Sequence, residues 1–424
     1  MGRAGGYAGR HGSVTEKDSH GRVTADSQGE KPETWAAHAG RRPEWTQNRE
    51  GTGGIVNPPV WRASTIIYPD IASMDAANGL QDETLFYGRK GTPTTWALRE
   101  ALTGLEPGAA GTMLYPSGVA AIAGAILSVV KPGDHILLPD SAYDPTSLLG
   151  QGLLKRLGVE AEPYDPLIGK GIANLFRPNT SLVLIESPGS LTFEVQDVPA
   201  ITAAAKAAGI PTLLDNTWAA SHFFKGIAAG CDMVVQALTK YVGGHSDLMM
   251  GSVSATEAFF PRLRNTAWQL GQCVSGDEAA LALRGFRTMP TRMARHEQSA
   301  LTIARWLKAH PLVERVLHPA FPDCPGHAIW TRDFSGSSGL FGVVLNCGSR
   351  ADAPRFFDQL QQFGIGFSWG GFESLAIPTS PEKIRRLNSF APSGLSLRLS
   401  IGLEDPDDLI ADLSAALDRM GRLE

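Results

Sequence analysis

Apolar residues fall in two rhythms along the middle of this chain. Residues 113–115, 135–139, 181–185, 212–214 and 233–236 are short, nearly unbroken apolar runs, the pattern of strands buried on both faces. Between them lie stretches with helical spacing, notably 120–130 and 198–208. The second of these has Asp197 placed to cap it and Gly209 placed to end it. Strand alternating with helix predicts an α/β domain with a mainly parallel, doubly wound sheet over 94–288. Beyond 289 the rhythm changes. An amphipathic helix over 292–308, a strand over 340–346, a helix over 353–363 and a strand over 395–401 predict a smaller α+β domain, 289–424. In the last of these strands Ser396, Arg398 and Ser400 share one face. Residues 32–93 carry little periodicity and a Pro58-Pro59 pair, which suits an arm reaching to a second subunit. Residues 1–31 hold too few apolar side chains to offset the entropy of ordering and are expected to be disordered.

Composition narrows the classes. A formal charge of −5 and a pI near 6.1 give no basic surface for nucleic acid or acidic lipid. The longest strongly apolar stretch, 119–130, is too short to span a bilayer. Arg3, Arg10 and Arg22 stand among Glu16, Asp18 and Asp26, which argues against a targeting peptide. Cys231, Cys273, Cys324 and Cys347 lie far apart with no C-x-x-C pair, so neither a disulfide framework nor a zinc site is expected, and a reducing cytoplasm fits. No G-x-G-x-x-G follows a strand, so a nicotinamide cofactor lacks its fingerprint.

The chemistry gathers where the apolar runs stop. Run 233–236 ends just before Lys240, and run 212–214 ends at Asp215. A strand-end lysine is ordinarily solvated and a strand-end aspartate ordinarily forms a turn. Run 113–115 passes through the small residues Ser117 and Gly118 into the helix 120–130, whose first N–H groups have no partner within the helix and can face an anion. A lysine amine, a carboxylate and a helix-start phosphate seat together match the needs of pyridoxal phosphate.

The stretches around these residues resemble the Cys/Met-metabolism family of pyridoxal-phosphate enzymes, from about residue 34 to 423. They are Leu85-Phe86-Tyr87-Gly88-Arg89-Lys90-Gly91-Thr92-Pro93-Thr94, Glu186-Ser187-Pro188-Gly189-Ser190, Asp215-Asn216-Thr217-Trp218, Ser368-Trp369-Gly370-Gly371-Phe372-Glu373-Ser374 and 398–404. Within the family they are most similar to its bacterial cystathionine β-lyase branch. The resemblance implies the aspartate-aminotransferase-like fold (fold type I). It also implies Lys240 as the residue that binds the cofactor aldehyde and carries the substrate Cα proton, with Asp215 at the ring nitrogen and Tyr143 stacked on the ring as a catalytic residue that helps proton transfer. Gly118, Val119 and Thr239 would hold the phosphate, and Tyr87 and Arg89 would reach the phosphate of a neighbouring subunit. Arg398, Ser368, Trp369 and the neighbour's Tyr87 would bind substrate, Arg398 by a two-donor bond to the α-carboxylate, and Tyr87 would also serve catalysis. The active unit would then be a dimer or tetramer of this chain with shared sites.

Many relatives carry a serine where this chain has Ala237, so one phosphate hydrogen bond is missing from the expected set. The implied reaction is loss of a thiol from Cβ of an amino-acid thioether, giving pyruvate and ammonia, with homocysteine released from cystathionine. Relatives that act at Cγ often carry Glu at the position of Phe367, and the apolar residue here favours β-elimination. A reading of another class is a cofactor-binding regulator without turnover. Retention of Lys240, Asp215 and Arg398 together opposes it.

Overall fold

The computed structural model describes residues 30–48, 51–79, 84–387 and 390–421. The disorder expected for 1–31 therefore lies outside the described residues, apart from Glu30 and Lys31. Seven strands form the larger sheet: β1 (Gly111–Tyr115), β2 (His135–Pro139), β3 (Glu160–Tyr164), β4 (Thr180–Glu186), β5 (Thr212–Asp215), β6 (Met233–Ala237) and β7 (Gly251–Ala255). Their order is β1-β7-β6-β5-β4-β2-β3. The four pairings from β6 through β5, β4 and β2 to β3 are parallel, and β7 is antiparallel to both β1 and β6. The sheet is thus mainly parallel, as its apolar runs predict. Two strands escape the apolar pattern for physical reasons. Strand β3 is a polar edge strand containing Pro163, tolerated because only one side is paired. Strand β7 reads Gly-Ser-Val-Ser-Ala, buried yet built of small residues.

A second sheet of four antiparallel strands has the order β10-β11-β9-β8, with β8 at Val313–Leu317, β9 at Leu340–Leu345, β10 at Leu375–Thr379 and β11 at Ser396–Ser400. Twelve α-helices accompany the two sheets among the described residues: α1 (Pro32–His38), α2 (Pro43–Thr46), α3 (Ile71–Gly79), α4 (Pro93–Thr103), α5 (Gly118–Leu127), α6 (Asp144–Leu149), α7 (Val198–Ala207), α8 (Phe260–Gln269), α9 (Gly276–Lys308), α10 (His327–Asp333), α11 (Ala353–Phe357) and α12 (Pro406–Met420).

Helix α9 ties the sheets together. It starts at Gly276, well before the expected Arg292, and its 33 residues extend about 50 Å. Ser275 caps it by accepting the Glu278 N–H, Asp277 and Glu278 sit at its positive end, and Arg305 and Lys308 sit at its negative end. Pro290 removes one internal N–H bond, and packing carries the helix through. Ala279, Ala282, Leu283, Phe286, Met289 and Met293 join the core under the large sheet, whereas Ala300, Ile303, Ala304 and Leu307 join the core under the small one.

Other boundaries differ from the sequence reading. Helix α5 begins at Gly118 instead of Ala120 and ends at Leu127, because Ser117 accepts the Ala120 N–H and so fixes the start. Helix α11 stops at Phe357 instead of 363. The buried carboxylate of Asp412, on α12, accepts the N–H groups of Gln361 and Gln362 and holds that stretch out of the helix. The supposedly irregular 32–93 contains α1 to α3. Trp35 on α1 donates to the Ala101 carbonyl of α4 at 2.9 Å, and Arg287 of α9 donates to the Ala36 carbonyl.

Candidate active site

The parallel strands change direction of progression between β2 and β4: β3 lies on one side of β2, and β4, β5 and β6 follow on the other. The crevice beyond the carboxyl ends of such strands is where open α/β sheets hold ligands. Tyr143 follows β2, Glu186 ends β4, Asp215 ends β5 and Lys240 lies three residues beyond β6. From the other sheet, β11 brings Arg398, and the turn before β10 brings Ser368 and Trp369.

Ser368 is where the two halves meet. The Lys240 Nζ donates to the Ser368 hydroxyl at 2.6 Å, and an Nη of Arg398 donates to the Ser368 carbonyl at 2.9 Å. Ser368 holds a left-handed backbone, φ +85°, a conformation that costs of order 1–3 kcal/mol for a residue with a side chain and marks a constrained site. Gly370 permits the close approach. A β-carbon there would lie 3.1 Å from the Tyr241 nitrogen and 3.2 Å from the Lys240 carbonyl carbon. Trp369 lies on the same side, with Nζ of Lys240 5.2 Å from its ring centre.

Burial, then the positive charge of Arg398, push the Lys240 amine down from 10.5 to about 8, while Asp215 pulls the other way. Burial likewise lowers Arg398 to about 10, with Tyr143 and Tyr241 opposing. Asp215 accepts from the Thr217 N–H at 3.0 Å and from its hydroxyl at 2.5 Å. Desolvation raises its carboxyl, and those two bonds and Lys240 restrain the rise. Tyr143 is 43% exposed, and burial of the remainder, then Glu186 and Asp215, raise its phenol.

Helix α5 points its first turn at this region. Gly118 is packed so tightly on β6 that a β-carbon would meet the Ala237 side chain at 2.8 Å, and Val119 is exposed. The N–H groups of Gly118 and Val119 lie in the first turn, ahead of the first intrahelical bonds, at the positive end of the helix. Thr239 differs from its expected part. Its hydroxyl donates to the Met250 carbonyl at 3.2 Å and accepts the Met250 N–H at 3.0 Å, bracing the lysine loop. Tyr87 and Arg89 are not gathered with the rest. Tyr87 is 43% exposed, and Arg89 donates to the Trp268 carbonyl at the end of α8.

Sequence reasoning gave no role to Glu186. Its Oε2 accepts the Tyr143 N–H and its Oε1 the Ser190 hydroxyl, both at 2.7 Å. The signal was available, since run 181–185 stops at Glu186 just as run 212–214 stops at Asp215. The donor set suits pyridoxal phosphate: a lysine with a lowered amine, a carboxylate held by hydrogen bonds, and the first two N–H groups of α5, which the Ser117 cap does not take, for an anion.

Residues 33–418 match the model of the family described as Cys/Met metabolism PLP-dependent enzyme. The chain is 48% identical to a protein named putative cystathionine β-lyase from Rhizobium johnstonii, over 85% of this chain and 90% of that one. It is 42% identical to the cystathionine β-lyase of Escherichia coli, over 92% of this chain and 99% of that one. The solved structure of cystathionine γ-synthase from Xanthomonas oryzae pv. oryzae, in complex with aminoacrylate and cysteine, aligns with a TM-score of 0.83 at 30% identity, covering 93% and 100% of the two chains.

Proposed function

The chain belongs to the Cys/Met metabolism PLP-dependent enzyme family, and from that premise we propose that it is a carbon–sulfur β-lyase cleaving L-cystathionine to homocysteine, pyruvate and ammonia. The observation that carries the reading is the convergence of Lys240 and Arg398 on the two ends of Ser368, beside the carboxylate of Asp215. Pyridoxal phosphate, when bound, supplies an aldehyde for an amine and a ring that takes up the electrons left at the substrate Cα.

Lys240 would hold the cofactor and, once released by the substrate amine, take the Cα proton on Nζ. An amine near 8 suits both tasks, being partly neutral at physiological pH. Asp215 would keep the ring nitrogen protonated. Tyr143, raised and half exposed beside it, would pack against the ring and keep its own proton at neutral pH. The N–H groups of Gly118 and Val119 would seat the phosphate. Thr239 would join them only by giving up its bond to the Met250 carbonyl. Ala237 offers no hydroxyl, so the helix start carries more of this binding.

Arg398 would grip the substrate α-carboxylate with its free nitrogens while keeping the Ser368 carbonyl, which fixes the direction of the Cα–H bond. Ser368 would hold Nζ on the substrate side, and Trp369 would wall it. Phe367, 89% exposed and next to Ser368 in the chain, would bring an apolar side chain and no charge to a longer pose that would favour Cγ chemistry.

Tyr87 and Arg89 would complete the phosphate seat of a neighbouring copy. The exposed Ile55, Val56 and Ile67 of the same segment support an intersubunit arm and hence a dimer or tetramer. We read the protein as cytoplasmic: its four cysteines are free, and no described helix is long and apolar enough to cross a membrane.

The test is borohydride reduction of the cofactor-loaded protein, which should fix pyridoxal phosphate to the peptide containing Lys240. Lys240→Ala should abolish thiol release from L-cystathionine. Fixation at another lysine, or an active Lys240→Ala protein, overturns the site.

A further inference from the structure

Two carboxyls stand side by side at this sheet edge. Glu186 and Asp215 are register partners at the ends of the parallel strands β4 and β5, so their backbones are about 4.8 Å apart. Glu186 is buried, 9% exposed. Besides the Tyr143 and Ser190 bonds to its carboxyl, its backbone carbonyl takes a 2.7 Å bond from the Gln196 amide. The groups facing it are Asp215 from β5, Arg385 from the loop after β10, and the phenols of Tyr143 and Tyr164. Arg385 is already bonded to Glu194 and Thr192, so it is shared at best.

Two carboxylates on neighbouring strand ends in a poorly hydrated place oppose each other's ionisation, so one of them tends to keep its proton. Two features favour the anion on Asp215. It has two Thr217 donors on one oxygen, and it faces the Lys240 cation.

We propose that Glu186 is a positioning residue of the site: as a neutral carboxylic acid it anchors the Tyr143 backbone and leaves Asp215 as the carboxylate anion. The inference rests on the reading of Asp215 and Tyr143 as cofactor contacts. Desolvation and the Asp215 charge push the Glu186 carboxyl up to about 8, with its two donors and Arg385 opposing, in keeping with this assignment. Glutamine can replace a neutral glutamic acid here without loss of either bond. Its carbonyl would accept the Tyr143 N–H, and its amide would donate to the Ser190 oxygen once that hydroxyl turns round to accept, as it must also do for the O–H of the neutral acid. Alanine loses both.

The test uses the full chain with and without pyridoxal phosphate, as wild type, Glu186→Gln and Glu186→Ala. Infrared difference spectra of wild type minus Glu186→Gln should contain the carbonyl band of a protonated carboxylic acid near pH 7, and the band should vanish above about pH 9. Cofactor affinity should fall about tenfold or more in Glu186→Ala and stay within about threefold of wild type in Glu186→Gln. No acid band near pH 7 overturns the proposal, as does a Glu186→Gln protein as weak as Glu186→Ala, or an alanine variant that binds like wild type. If Glu186→Ala does not fold, the band and the glutamine affinity decide. The band is also read without cofactor. Failure to fix the cofactor at Lys240 in the wild type therefore sinks the site assignment separately from the protonation state of Glu186.

Discussion

The charge on Lys240 can be read out as a rate. Only a neutral amine attacks an aldehyde, and burial with Arg398 lowers this amine from 10.5 to about 8. At pH 7 about one molecule in ten would then carry it neutral, roughly 300-fold more than for an amine left at its ordinary value. Uptake of pyridoxal phosphate by cofactor-free protein, followed by visible absorbance in stopped flow, should therefore rise about tenfold per pH unit and level off above about pH 8. The perturbation is Arg398→Met, which removes the charge and keeps most of the volume. Burial, the larger cause, remains, so the midpoint should move up yet stay below 10.5. Linkage gives a second reading. The folded value lies below the unfolded one, so the stabilisation is present above about pH 10.5 and lost as pH falls through about 8, at most about 3 kcal/mol in all. Lys240→Met should flatten that slope in cofactor-free protein. Uptake by the wild type that keeps climbing past pH 10, or an Arg398→Met midpoint that does not rise, would refute the electrostatic account.

Arg398→Ala should lower kcat/KM for L-cystathionine by roughly two to four orders of magnitude, since leaving a buried carboxylate unpaired costs about 3–5 kcal/mol; Arg398→Lys should recover only part, lacking the two-donor fork. Steady-state kinetics check both, and a change of a few-fold would return Arg398 to the status of a solvated charge. Inactive Lys240→Ala and Arg89→Ala proteins, refolded together, should regain activity through hybrid sites, and a fully active monomer in sedimentation would contradict the shared site. Asp412→Ala should cost about 1–3 kcal/mol in denaturant unfolding by stranding the backbone N–H groups of Gln361 and Gln362; an unchanged midpoint would show that water replaces the carboxylate.

The sheet, and the strand ends that bring Asp215 and Lys240 near each other, were readable where an apolar run stops at a polar side chain. The run ending at Glu186 carried the same signal, but a carboxylate accepting hydrogen bonds is indistinguishable in sequence from one facing solvent. Contacts across 128 residues, such as Lys240 with Ser368, leave no local trace. Helix α9 runs back from the expected Arg292 through Pro290 to Gly276, and a proline inside a helix is carried only by tertiary packing, here on both cores, which leaves no local trace. Strand β7 was hidden because its small side chains do not resemble an apolar run. The reach of Tyr87 and Arg89 came from the resemblance alone, and within one chain they lie against α8 or solvent.

The central claim is cleavage at Cβ by a site built on Lys240, and the keto acid formed from L-cystathionine tests it most directly. Cofactor-loaded protein should release pyruvate and homocysteine in equal amounts, quantified by chromatography after derivatisation. Release of 2-oxobutyrate and cysteine, or no keto acid from a protein with pyridoxal phosphate fixed at Lys240, would contradict it.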